Sequence, residues 1–416
     1  MARRLSPKRS SVFVVLLIAP LIAARGQASW ETNISDGVKA FGAGQYAQAV
    51  APLTAAVEQA RTFPQPDIRL AQSAHLLGLA CLFQIQADAA ERLFAEAKAS
   101  AEAVGPPARH LLGMILDAWG QLRAEQGRWK EAEELLRPSL AFCRERGESD
   151  PCSLSALRHL GELAAVQGRM EEAETKLQQV IDLIRRCPDS DGQLAAALRG
   201  LSTVYAFQRR YELAEPLLKE AVAAVKPLGD THPAVADGVL LLGQLYRLER
   251  DYARAEPLLK KAAHIYEANN DPHLAGTLDE LGFLALEQGK YATAQDHFHR
   301  AVAMRETILG SGHPLVARSL AGLAQAYYGE RNYAVAKSFI VQAVAIQRGF
   351  FGDANAEVAS MLMFAANIDQ KQRLLSEADA HYREALDIFR RSVASGNPER
   401  VAAEQEYARF SKSFRK

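Results

Sequence analysis

Nine alanines form the ruler that most constrains this chain. Ala49, Ala90, Ala132, Ala173, Ala214, Ala255, Ala294, Ala336 and Ala378 stand 41, 42, 41, 41, 41, 39, 42 and 42 residues apart. A spacing this regular means one supersecondary unit copied in series, in which each copy buries its apolar face against its neighbours. A single globular core has no use for such a period. The local wording repeats with it: GRWKEAEELL from Gly127, GRMEEAETKL from Gly168, RRYELAEPLL from Arg209 and RDYARAEPLL from Arg250.

The types around the ruler say what the unit is. Twelve residues before each alanine sits Gly37, Gly78, Gly120, Gly161, Ser202, Gly243, Gly282, Ala324 or Ala366, all small. Four after it sits a bulky apolar residue, from Leu53 and Phe94 to Ile340 and Tyr382. Three before it stands Tyr46, Trp129, Met170, Tyr211, Tyr252, Tyr291, Tyr333 or Leu375, with Ala87 as the exception. Offsets of three, four and seven share one face of an α-helix. Small residues let two helices approach closely, and a bulky neighbour fills the gap. Each unit therefore reads as helix A, a short turn such as Gly127-Arg128, and helix B carrying the alanine. Clusters such as GDTHP at 229–233, GSGHP at 310–314, NNDP at 269–272 and ESDP at 148–151 separate the units. Proline is tolerated at a helix start, where its missing N–H has no partner to lose. His232 and His313, each before such a proline, are expected to order the turn.

This spacing resembles the tetratricopeptide repeat (TPR). The length near 42 and the G-D-x-H-P … L-G-x-L … Y-x-x-A-E-P-L wording resemble the kinesin-light-chain subtype. The resemblance covers nearly all of residues 31–390 in nine units. It implies an all-α fold, an α-solenoid of about nine helix hairpins forming a right-handed superhelix, spanning 29–395, with a C-terminal capping helix over 396–416.

Residues 1–28 read differently. Arg3, Arg4, Lys8 and Arg9 precede the apolar run Val12 to Ala24, and small residues follow. A basic start, a run of 13 residues and a small-residue cut site describe a secretory signal; a membrane-spanning helix needs about 20 residues. The expectation is a protein exported to the periplasm or outside the cell, with anchoring by an uncleaved segment as the alternative and membrane association only in that case. The whole chain has 49 basic and 49 acidic residues. Cleavage after Ala28 removes five basic residues and no acid, so the mature chain is net acidic. A nucleic-acid partner is thereby disfavoured.

No motif for a nucleophile elbow, phosphate loop, dinucleotide fold or zinc protease occurs, so the chain reads as no enzyme, with no cofactor and no metal. Asp189-Ser190-Asp191-Gly192 lacks the remaining ligands of a calcium loop and reads as an inter-repeat turn. Cys81, nine before its ruler alanine, is expected to be a buried structural thiol. Export permits a disulfide among the other cysteines. Cys152 begins helix A of the fourth repeat and Cys187 ends its helix B, which favours a Cys152–Cys187 bond; Cys143, across a short loop, is the rival partner for Cys152.

In the family that the chain resembles, helix A lines a concave face on which ligands lie as extended peptides. The inward positions then stand 15, 11, 8 and 7 before the ruler alanine. In the third and fourth repeats they give Asp117, Gln121, Arg158 and Glu162. The fifth and sixth give Arg199, Thr203, Phe207, Gln244 and Arg247. The last three give Asp279, Phe283, Gln325, Tyr328, Asn367 and Gln370. Arg158 and Arg199 hold the same place in adjacent repeats, as a carboxylate or backbone clamp would. Two functions follow: a non-enzymatic exported scaffold holding an extended peptide or partner protein of unknown identity, or a regulatory or recruiting subunit of an envelope enzyme or secretion complex whose active domain is on another chain.

Overall fold

The computed structural model describes residues 28–186, 191–352, 355–392 and 397–414, and all regular structure among them is helical. Residues 1–27 of the expected signal segment, Cys187, and Asp189 and Ser190 of the expected turn lie outside the described residues. The chain divides into two compact units, the first ending at Asp271 and the second starting at Pro272.

The first unit holds six A/B pairs: α1 Ala28–Gly42 with α2 Tyr46–Arg61, α3 Ile68–Phe83 with α4 Ala87–Val104, α5 Arg109–Glu125 with α6 Trp129–Arg144, α7 Pro151–Val166 with α8 Met170–Arg185, α9 Asp191–Phe207 with α10 Tyr211–Val225, and α11 Pro233–Leu248 with α12 Tyr252–Ala268. The second holds three: α13 Leu274–Glu287 with α14 Tyr291–Leu309, α15 Pro314–Gly329 with α16 Tyr333–Phe351, and α17 Ala356–Lys371 with α18 Leu375–Ser392, followed by α19 Pro398–Phe414. The break between units falls in the NNDP loop, where the ruler shortens to 39 and α13 is only 14 residues long.

Every ruler alanine is fully buried. The residue three before it is the first residue of helix B in all nine repeats, Ala87 included. Where the small residue twelve before it is glycine, as in six repeats, it meets the bulky residue four after it. A Cβ added to Gly78 would stand 2.6 Å from the Phe94 ring, and one on Gly120 2.6 Å from Leu136 Cγ. Helices A and B thus interlock through a hole and a knob, and the contact is too close for an extra methyl unless the knob moves.

The A-to-B turn repeats in the backbone. Gly44, Ile85, Gly127, Gly168, Arg209, Arg250, Gly289, Arg331 and Arg373 all have φ between 57° and 78°, and each lies five before its alanine. Left-handed geometry favours glycine, yet five repeats place a side chain there. The cost, about 1–2 kcal/mol for such a residue, is carried by the packing on either side.

Helix A is capped from the preceding loop. Asp67, Asp150 and Asn355 accept from the backbone N–H two residues on, at 2.8, 2.9 and 2.7 Å. His232 and His313 do the same through Nδ1, accepting from Ala234 and Leu315 at 3.1 Å each. Both histidines order their turn as expected. Only a neutral ring can accept at Nδ1. Burial lowers both pKa values; the Gly42 carbonyl and Asp237 oppose this at His232, and Arg305 reinforces it at His313. A base held below its ordinary value adds stability that is complete above about pH 6.5 and is lost as pH falls through the folded value. Replacing both by Asn keeps a capping oxygen that does not titrate. The double variant His232→Asn, His313→Asn should therefore lose less unfolding free energy than the parent between pH 7 and pH 5, by up to about 1 kcal/mol per cap. His75, pushed down to about 4 by burial, contributes equally to both proteins. Parallel pH profiles would show that the caps do not depend on the neutral ring.

In the second unit α19 packs Ala403 and Phe410 against α18, where the Phe410 and Tyr382 rings lie 5.0 Å apart and the Tyr407 hydroxyl donates to Asp379 at 3.0 Å.

Candidate peptide-binding face

The helix-A residues separate by offset. Those 15 before the ruler alanine reach the next repeat. Asp117 is buried between α5 and α7, where the Ser155 hydroxyl donates to it at 2.6 Å and His159 Nδ1 lies at 2.7 Å. Burial pushes the Asp117 carboxyl up, but His159, Ser155 and Arg158 outweigh it and hold the carboxyl low. Arg158 stands 2.7 Å from His159 Nε2. A guanidinium can only donate, so Nε2 accepts and the ring proton sits on Nδ1, facing Asp117. Ser155 gives its proton to a carboxylate rather than to the imidazole, so this is not the arrangement that activates a nucleophile. It is a latch between repeats.

Arg199 forms a similar latch, its guanidinium 3.5 Å from Asp237, which also accepts from the Tyr266 hydroxyl at 2.6 Å. In the second unit Asp279 is wholly buried, with Arg305 at 2.5 Å and the Ser319 hydroxyl donating at 2.8 Å. Burial pushes Asp279 up and Arg305 down; their mutual charge opposes both shifts. Ser155, Asp237 and Ser319 lie 18, 18 and 17 before their own alanines. The Asp117 and Asp279 carboxylates thus hold hydroxyls of the neighbouring repeat, those of Ser155 and Ser319. Arg158 has Ala196 at the corresponding place and binds Glu162 of its own helix at 2.7 Å instead. The Arg158–Arg199 pair is not an open clamp, since each guanidinium already holds an acid.

The other offsets remain nearer solvent. Gln121 donates to Glu125 at 2.8 Å, and Thr203 donates to the Arg199 carbonyl at 3.0 Å. Gln244, Arg247 and Gln370 are partly exposed and Gln325 is exposed. Phe207, the last residue of α9, is 59% exposed. Phe283 packs edge-on against Phe298 at 5.1 Å, and Tyr328 lies 5.3 Å from both Tyr333 and Phe364. Asn367 accepts from the Tyr382 hydroxyl at 2.7 Å, which leaves it a packing role.

Cys143 and Cys152 form a disulfide with Cα atoms 5.5 Å apart. This corrects the Cys152–Cys187 expectation. Cys143 lies in the last turn of α6 and Cys152 in the first of α7, so the connecting loop brings them together and Cys152 has no second bond to give. Cys81 is a free, buried thiol whose pKa burial raises. Among the described residues no helix is long and apolar enough to cross a membrane.

A tetratricopeptide-repeat family model matches residues 111–186, 152–227, 193–268 and 273–349, which together make up more than half of the chain. The chain belongs to the TPR family. As a TPR chain it is a scaffold for protein–protein interaction. It is similar in structure to a Rap protein complexed with Competence and Sporulation Factor, at 13% identity over 87% of this chain and 98% of that one, with TM-score 0.63. It is similar to the apo form of RapI at 14% identity over 67% and 98%, TM-score 0.51. TPR-like repeats of kinesin-light-chain type from Podosopora anserina match at 24% identity over 47% and 95%, TM-score 0.41. No curated protein matches the sequence.

One TPR contact was not foreseen. The A-to-B turn of the first repeat meets the start of α11 in the sixth. Gly44 is buried there, and a Cβ on it would stand 2.5 Å from Pro233 Cδ and 3.3 Å from His232 Nε2. Tyr46, stacked on Phe83 at 4.6 Å, feels Asp237, Asp271 and Arg199, and burial raises its phenol. The first repeat's turn therefore lies against the helix-A side of repeats five and six. Tyr46 occupies an ordinary ruler position, and its sequence carries no mark of this. Gly168 has the same left-handed φ, and a Cβ there meets nothing within 4 Å. Gly44→Ala and Gly168→Ala share the backbone penalty, but only Gly44→Ala pushes on Pro233. Hydrogen exchange of amides 234–238 should speed up in Gly44→Ala and stay unchanged in Gly168→Ala; equal exchange in both would mean that the turn does not dock.

Proposed function

We propose that this TPR scaffold is non-enzymatic and exported, and that it holds an extended segment of a partner protein along the helix-A face of its repeats. The observation that carries the reading is Phe207. Phe207 is the most exposed large hydrophobic side chain among the described residues, and binding energy concentrates on aromatic anchors. The next helix A carries the partly exposed Gln244 and Arg247, so an apolar anchor and polar groups stand on neighbouring helices. An extended segment needs that mixture: donors and acceptors for its backbone and apolar contacts for alternate side chains. The basic start and 13-residue apolar run support export.

A photo-crosslinking residue placed at Phe207 or Gln244 should capture a discrete partner in the exported fraction. The same residue at Lys219 or Lys260, exposed on helix B, should capture little. Phe207→Ala should weaken binding of that partner by about tenfold, roughly 1.4 kcal/mol, with helicity intact. Mass spectrometry of the captured chain should show loss of about 26–28 N-terminal residues. Capture from Lys219 or Lys260 alone would place the interface on helix B, and an intact N-terminus in a cytosolic fraction would refute export.

A further inference from the structure

The corner between the third and fourth repeats gathers more metal-binding chemistry than a disulfide requires. His110 stands at the second residue of α5, Cys143 in the last turn of α6, and Asp150 and Cys152 at the start of α7. His110 Nε2 is 3.0 Å from Asp150 Oδ1. The ligand atoms of His110, Asp150 and Cys152 lie within 4.8 Å of one another, and Cys143 Sγ is bonded to Cys152 Sγ. One sulfur, an imidazole nitrogen and a carboxylate therefore converge on one point, with the second sulfur one bond behind Cys152 Sγ. Tetrahedral zinc takes nitrogen and oxygen at about 2.0–2.2 Å and sulfur at about 2.3 Å, which puts ligand atoms about 3.3–3.8 Å apart. The His110, Asp150 and Cys152 separations need only small side-chain rotations, and opening the S–S bond frees Cys143 Sγ to turn to the same point. The backbone favours this. Gly113, on α5, leaves space beside Cys143 Sγ, which a Cβ there would approach to 2.7 Å. Asp150 is already oriented by the Cys152 N–H at 2.9 Å. Cys143 and Cys152 are buried, whereas His110 and Asp150 keep an edge towards solvent, at 13% and 9% side-chain exposure, which gives an ion its way in.

We propose that reduction of the Cys143–Cys152 disulfide converts this corner into a zinc site of composition Cys143, Cys152, His110 and Asp150. A thiol reductant supplies two electrons and two protons, becomes a disulfide itself, and leaves two thiols on the chain. Zn²⁺ then takes both sulfurs as thiolates and releases their two protons to water. His110 turns its Nε2 lone pair to the metal and carries its proton on Nδ1, giving up its hydrogen bond to Asp150. The corner is thus pinned by a covalent bond under oxidising conditions and by a metal under reducing ones. The site is independent of any partner on the helix-A face.

Cobalt(II) and zinc titrations of the full chain test this. The phosphine-reduced chain should bind one cobalt, with the visible bands of tetrahedral Co(II) and a thiolate charge-transfer band in the near ultraviolet, and one zinc should displace it. The oxidised chain should give neither. His110→Ala and Asp150→Asn should each weaken binding by about tenfold or more, and Cys143→Ser should remove much of the charge-transfer intensity. Asn retains the helix cap, so Asp150→Asn stays informative if another variant unfolds. Cys81→Ser and Cys187→Ser should change nothing. The proposal is overturned if the reduced, helical chain binds no cobalt, if binding ignores both His110→Ala and Asp150→Asn, or if Cys187→Ser abolishes it.

Discussion

How closely helix A can approach helix B decides the rest of the molecule. In six repeats a bulky side chain from helix B presses onto a glycine of helix A. Phe298 shows the limit: the wholly buried ring has Gly282 on one helix and Gly322 on another, and a Cβ on either would stand 2.7 or 2.4 Å from it. Every other repeated feature serves this contact. The left-handed residue reverses the chain in two or three residues, so the helices start side by side. The ruler alanine keeps helix B's backbone near helix A, and the caps fix where helix A begins.

This explains why the fold was legible and the proposed ligand face was not. Packing offsets repeat because each copy solves the same steric problem, so nine copies make the pattern plain. Helix-B starts, buried alanines and the capping histidines all followed from it. The residues 15 before the alanine looked equally regular, yet their partners lie one repeat away. Asp117 meets Ser155 and His159, and Asp279 meets Ser319. A helix-A position is free for a ligand only if the next repeat offers it nothing, and offset alone does not say that. The 17–18 position of the following repeat is the signal that does.

The same distinction separates the disulfide from its rival. The expected Cys152–Cys187 bond stays within one repeat in sequence, whereas Cys143 and Cys152 face each other across a loop between repeats. Sequential proximity prevailed because Asp150 caps α7 just beyond that loop and turns Cys152 back towards α6. The contact of Gly44 with Pro233 depends on six repeats stacked in turn, a placement that no single repeat encodes.

The knob-and-hole contact is tested most directly within one helix. Gly276 and Gly282 both lie in α13. A Cβ on Gly276 meets only the Arg305 guanidinium, at 3.9 Å, while one on Gly282 meets three Phe298 ring atoms at 2.7–2.9 Å. Alanine is favoured over glycine in a helix by about 1 kcal/mol. Urea unfolding should therefore show Gly276→Ala raising stability by up to about that amount and Gly282→Ala lowering it by about 1–3 kcal/mol. An equal gain in both variants would contradict the account, because helix A would then have room to spare against helix B.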